Sequence, residues 1–388
     1  MGKRTRRGDL ALFAKKLLML ALPPALFFSL SSYVLVVAGE MVPVGKLIDA
    51  QRQNDTLVLY GPAYVYPDKY YKLESVLAGR PDVIALGSSR VMQFRSKFFK
   101  PGTVFFNAGG AAGSIRHVRR FLARIPAAGQ PKVLLLGLDP YWFNARYDHG
   151  AEDDIDEQLS SPSSAAKAYR ASYRVYADYF KRKFTMKELL EKKTSAVFGL
   201  NAIINGNGFR NDGSYTFAKD PDNPDDADGR TTFTNVFDRI DRGVNRFEYN
   251  KEFSPDAVKE LRELLGECAA RKIHVVGFLP PFAHVVYEKM RAMGERYQYL
   301  FDLPAVFAKL FESSGFAFFD FSDLASTGAS DEETTDGFHA SEKAYLRLFL
   351  MMASRDPVLR RYAGDPDYLR TRLRQSASPR TVFANNEF

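Results

Sequence analysis

Five short apolar runs recur along the body of the chain: "DVIALG" from Asp82, "TVFFNAGG" after Gly102, "KVLLLGLD" after Pro131, "IHVVGFLPP" from Ile273 and "FAFFDF" from Phe316. Each is bounded by Pro, Gly or Asp, the mark of a strand buried on both faces. Between them lie stretches whose apolar positions fall three and four apart. "SIRHVRRFLARI" opens on Ser114 as an N-cap, and "SPDAVKELRELLGECAARK" opens on Ser254, Pro255 and Asp256. "LPAVFAKLFESSG" is stopped by Gly315, and "SEKAYLRLFLMMA" closes the series. These patterns predict amphipathic helices with identifiable ends. Strand and helix in alternation predict an α/β fold, with a central, mostly parallel sheet covered on both faces.

The rhythm breaks between about 145 and 252. Helical "SAAKAYRASYRVYADYFKRKF" and "TMKELLEKK" give way there to the loops "NGNGFRNDGSY" and "DPDNPDDADG". A polar insertion of this length reads as a lid, a substrate platform or a flexible excursion. Its Asp-rich part lacks the spacing and closing glutamate of a calcium loop, so a solvated loop is expected and no metal.

At the other end, the basic stretch "GKRTRRGDLALFAKK" precedes an uncharged apolar run from Leu17 to Gly39, long enough to cross a bilayer. The expected organisation is a cytoplasmic flank at 1–16, a transmembrane signal anchor at 17–39, a stalk at 40–80 and a domain at 81–388. That domain would lie in the periplasm or at the cell surface. The competing reading is a signal peptide cut near Ala38.

Composition adds three constraints. With 388 residues, 46% hydrophobic and 26% charged, the chain is an ordinary globular one rather than a disordered one. The single cysteine, Cys268, rules out an intrachain disulfide and sits on a helical face as a buried thiol. A net charge of +8, part of it in the N-terminal flank, with clusters such as "RHVRRFLAR" and "YFKRKF", favours lipid headgroups or an acidic polysaccharide over nucleic acid for an exported domain, while any one cluster reads first as a solvated helix face. No cofactor is expected.

In parallel sheets the ligand sits beyond the carboxyl ends of the strands. Gly87-Ser88-Ser89, "NAGGAAGS" and "GLDPYWFN" all fall at such ends, and "TTDGFHASEKAY" places Asp336 and His339 just before the last helix. A serine becomes a nucleophile only beside a base that a third group holds, and "DGFH" can supply both. Of the other histidines, His274 and His117 suit packing or solvent roles, while His149 and His284 lie in or near loops without a role. Arg90 is a candidate contact for an anionic substrate, or else one half of a salt bridge. Tyr141 and Trp142 are candidates for a sugar or acyl-chain platform, or else a plug under the insertion.

A Gly-x-Ser after the first core strand, an Asn-and-Gly loop after the second and a closing Asp-x-x-His resemble the SGNH (GDSL) hydrolase superfamily, over roughly residues 82–352. "GSSR" and "DPYWF" are most similar to its membrane-anchored branch, which holds the D-alanyl transfer protein of teichoic acid modification and the alginate O-acetylation proteins. The resemblance implies a flavodoxin-like three-layer sandwich with Ser89 as nucleophile, His339 as general base and Asp336 as orienting carboxylate. It implies an oxyanion hole from the N–H groups of Ser89 and Gly113, with Gly109 or Gly110 as alternatives. The superfamily takes a further donor from an asparagine, but "GLDP" puts Asp139 there, and a carboxylate donates only when protonated. Asn144 is the nearby substitute.

The implied activity is acyl transfer, or ester hydrolysis, on a cell-envelope or exported polysaccharide, with acetyl as the expected group. The implied partner is a membrane-bound O-acyltransferase. Two alternatives stand beside it: a lipase or esterase of small substrates, and a non-catalytic carbohydrate-binding or assembly subunit, which the "GLDP" departure favours.

Overall fold

The computed structural model describes residues 2–54, 56–147, 155–160, 165–218 and 233–384. His149 and the "DPDNPDDADG" loop lie outside them. The five apolar runs become β2 (Val83–Gly87), β3 (Phe105–Gly109), β4 (Val133–Gly137), β8 (His274–Leu279) and β9 (Ala317–Asp320). All pair in parallel, in the order β3-β2-β4-β8-β9. The chain leaves β2 toward one edge and returns on its other side at β4, so the topological switch lies at β2, where doubly wound sheets open a crevice.

Alternate side chains of these strands enter two separate cores, which makes three layers. Ile84, Leu86, Leu134 and Leu136 face four helices: α3 (Asp68–Gly79), α4 (Ile115–Ala123), Pro255–Ala270 and Gln298–Ser313. Val83, Ala85, Val133 and Leu135 face the last long helix, Glu342–Arg355. Ser114, Ser254 and Ser341 cap their helices through the side chain, as their positions predict. Cys268 is buried in the first core, where desolvation pushes its thiol up to about 12.

The N-terminal helix α1 (Gly2–Val37) is the one helix among the described residues long and apolar enough to cross a membrane. Its far end is packed: Ser31, Val34 and Leu35 are buried against protein.

The expected stalk is corrected by the structure, because residues 40–80 are part of the body. The Glu40 carboxylate accepts the backbone N–H groups of Ala63, Tyr64, Val65 and Leu200, clamping the end of α1 to two distant segments. α2 (Val44–Gln53) buries Leu47 and Ile48, and α3 buries Leu73 and Val76 on the main sheet. β1 (Leu59–Tyr60) pairs with β5 (Val197–Phe198) and β6 (Gly208–Phe209), and β6 pairs with β7 (Tyr215–Thr216). The supposed stalk and the insertion therefore share a second, four-stranded sheet. The remaining helices of the insertion's first half are α5 (Ile155–Ser160), α6 (Ala165–Phe180), α7 (Met186–Lys192) and α8 (Leu200–Asn205).

Candidate active site

β2 ends at Gly87, and the chain turns at once into a short 3-10 helix, Ser89–Val91. The turn lies close against the sheet because Val91 fills a pit made by two glycines. A Cβ on Gly87 would stand 2.5 Å from the Val91 side chain, and one on Gly137 would stand 2.3 Å from it. Within the turn the two serines divide. The hydroxyl of Ser88 accepts the N–H of Arg90 as an N-cap, whereas Ser89 is half-buried and its Oγ lies 2.9 Å from His339 Nε2.

The loop before Glu342–Arg355 supplies the rest. His339 Nδ1 lies 2.8 Å from Asp336 Oδ2, while Asp336 Oδ1 accepts the N–H groups of Phe338 and His339. Burial by itself would raise the Asp336 carboxyl. The adjacent imidazole and the two backbone donors outweigh it and hold the acid well below the usual carboxylate range. With Asp336 ionised, His339 Nδ1 carries the proton and Nε2 is left to accept one from Ser89. The three residues that the motifs single out are thus brought into one hydrogen-bonded line.

The other expected site residues are placed differently. Gly113 N–H is spent on His117 Nδ1, Gly109 N–H on Asn107 Oδ1, and Gly110 N–H on the carbonyls of Gly87 and Ser88. None of the three glycines has a backbone donor left for an oxyanion. Ser89 does: as first residue of its 3-10 turn its N–H meets no acceptor among the described residues. Asn144 also drops out, since its amide donates to the Glu248 carbonyl and its oxygen accepts from Arg146 and Asn250.

Asp139, which the resemblance sets where an asparagine donor is expected, is fully buried and paired with Arg90 Nη1 at 3.0 Å. Arg90 is therefore corrected from substrate contact to internal strut. Its other guanidinium nitrogens donate to the carbonyls of Phe338, Pro280 and Pro281, and its own carbonyl accepts the Tyr345 hydroxyl. It ties the residue after Ser89 to the residue before His339. Tyr141 and Trp142 are enclosed as well, at 2% and 1% exposure, with the Tyr141 hydroxyl donating to Asp139. They are the plug rather than the platform, because the 3-10 turn Pro140–Phe143 packs inward under the rim.

Three residues unforeseen in the motifs stand near the triad. Phe217, just after β7, lies 6.1 Å from the His339 ring and is 38% exposed. Arg239 and Arg246 place their guanidinium carbons 5.5 and 5.7 Å from the ring centre of Phe338, and neither makes an ion pair within 4 Å among the described residues. All three come from the insertion: Arg239 from the amphipathic helix Thr234–Arg242, Phe217 and Arg246 from loops whose local sequence carries no periodic signal. His284 pairs with Asp323 and His274 with Asp356, so neither joins the site.

The chain matches no model of a known protein family, and neither a similar curated protein nor a similar solved structure was found.

Proposed function

We propose that this chain is a membrane-anchored SGNH-type serine acyltransferase or esterase whose body lies outside the cytoplasm. One observation carries the reading: the continuous Ser89–His339–Asp336 line, with contacts of 2.9 and 2.8 Å. His339 Nε2 takes the proton of Ser89 as Oγ attacks an acyl carbonyl, and the imidazolium then protonates the leaving group. The acyl-enzyme is resolved when His339 removes a proton from an incoming hydroxyl. That hydroxyl belongs to a sugar in transfer and to water in hydrolysis. Asp336 fixes the imidazole tautomer and stabilises its cation. The Ser89 N–H is the donor placed for the developing oxyanion.

The substrate in this reading is an acyl ester, acetyl first, of a cell-envelope or exported polysaccharide. A membrane-bound O-acyltransferase is the partner. Both rest on the motif resemblance, and the anchor rests on the apolar length of α1 with its basic flank. The full-length protein mixed with 4-nitrophenyl acetate should give a burst of nitrophenol and an acetylated Ser89 peptide by mass spectrometry. Asp336→Asn should slow the burst by about 10³–10⁴-fold. Absence of both burst and adduct in folded protein would sink the proposal.

The spent glycine donors favour a second reading, a non-catalytic subunit that keeps the fold. On that reading Ser89→Ala leaves polysaccharide acylation in cells unchanged.

A further inference from the structure

The helix α6 divides its surface into three strips. Ala171 and Val175 face the protein, in the same cluster as Val34 and Leu35 of α1. Arg170, Arg174 and Asp178 recur every fourth residue along one flank, where Arg174 donates to the Ala63 carbonyl on the body. Tyr173, Tyr176, Tyr179 and Phe180 form the other flank. Tyr173 is 70% exposed and Phe180 77%, an unusual display for large aromatic rings.

This aromatic flank is the one that meets the anchor. Tyr176 stacks on Phe27 at 4.6 Å, and its hydroxyl donates to the Phe27 carbonyl at 2.8 Å. Phe27 is also where α1 first touches protein, every residue from Gly8 to Leu26 being exposed. That free stretch measures about 28 Å at 1.5 Å per residue, close to the roughly 30 Å of a bilayer's hydrocarbon core. Lys15 and Lys16 stand near its middle, about 11 Å from Gly8, so the stretch serves as an anchor only with their stems snorkelling and the bilayer thinned on that side.

We infer that the aromatic flank of α6 docks on the lipid surface where α1 leaves the bilayer, with Lys181 and Arg182 at its tip contacting anionic headgroups. The inference rests on the proposal that α1 is an anchor. Tyrosine and phenylalanine beside an exiting helix, with basic residues at the tip, have the chemistry of the bilayer interface. Lipid is favoured over a protein partner because the flank continues the bare surface of α1 and its charge complements anionic headgroups.

Docking has a consequence for the site. α6 and α7 share a core with α8, whose Asn201 amide donates to the Tyr215 hydroxyl. Tyr215 in turn packs on Phe217, which stands on His339. The interface helix and the triad are thus parts of one packed unit, and the site is held at a fixed height above the membrane.

The test uses the full chain with Cys268→Ala, carrying one nitroxide label at a time, in phosphatidylcholine vesicles with and without phosphatidylglycerol. Labels at Tyr173→Cys and Phe180→Cys should favour oxygen over an aqueous nickel chelate as relaxing agent, more strongly with phosphatidylglycerol. A label at Arg170→Cys should read water. If a label at Leu20→Cys reads hydrocarbon while positions 173 and 180 read water, docking is overturned and the anchor stands. If Leu20→Cys also reads water, the anchor fails and docking with it. Protection of 173 and 180 from both agents would mean a protein contact, such as a second copy, and would overturn the lipid assignment.

Discussion

Ser88 and Ser89 are one peptide apart and chemically identical, and the backbone alone gives them different work. Ser88 spends its hydroxyl on the Arg90 N–H, while Ser89 is aimed at the imidazole. Ser88→Ala should therefore cost about 1 kcal/mol of stability, the worth of a lost cap, and leave Ser89 reactive. Arg90 differs from both, being a buried cation whose counter-charge is Asp139. Arg90→Gln should destabilise by about 3–5 kcal/mol, because it strands a buried carboxylate. Arg90→Gln combined with Asp139→Asn should recover much of that loss, as a denaturant double-mutant cycle would show; additive losses would contradict the pairing.

Lys72 gives a pH signature. Burial pushes its amine down to about 7, against the opposing pull of Asp68 and Asp212, and it donates to the carbonyls of Asn107 and Gly213. The unfolded chain keeps that proton to about pH 10.4. Between roughly pH 7 and 10 the unfolded state binds more protons, so this group makes stability rise with pH, by up to about 1.4 kcal/mol per unit. Lys72→Met should flatten the rise in urea titrations. At this scale the hydrogen-bonded line of Ser89, His339 and Asp336 was legible because short motifs hold all three. The fate of each glycine N–H was not, since it depends on partners such as His117 Nδ1 and the Gly87 carbonyl that only the folded loop supplies.

Among elements, the five core strands and their capped helices were legible because each carries its own apolar run or period. The second sheet was not. Its strands are two residues long, and β1 finds β5 across well over a hundred residues of chain, with no alternation to announce the pairing. Its geometry nevertheless depends on Gly199, which adopts φ +92° and whose added Cβ would stand 2.2 Å from the Gly61 carbonyl oxygen. Gly199→Ala should cost at least about 1–3 kcal/mol from the backbone strain. It should also lower turnover by displacing β7 and Phe217. Thermal unfolding and ester turnover measured together test this, and unchanged turnover would separate the second sheet from the site.

For the whole molecule, the order β3-β2-β4-β8-β9 puts the switch at β2, and Ser89 follows β2 directly. The position of Ser89 is therefore a property of the topology, while its hydrogen bond to His339 depends on a loop that precedes the last long helix, some 250 residues away. The end of α1, residues 40–80 and the insertion join at Glu40, which gathers N–H groups from residues 63–65 and 200. That arrangement makes the long apolar helix and the Ser89–His339–Asp336 line parts of one body.

The central claim is that Ser89 is an activated nucleophile. The most direct measurement is labelling of the full-length protein with a fluorophosphonate probe, comparing wild type with Ser88→Ala, Ser89→Ala and His339→Ala. Labelling is expected at Ser89, to survive Ser88→Ala and to disappear in the other two. Folded wild-type protein that takes no label, or a label that persists in Ser89→Ala, would contradict it.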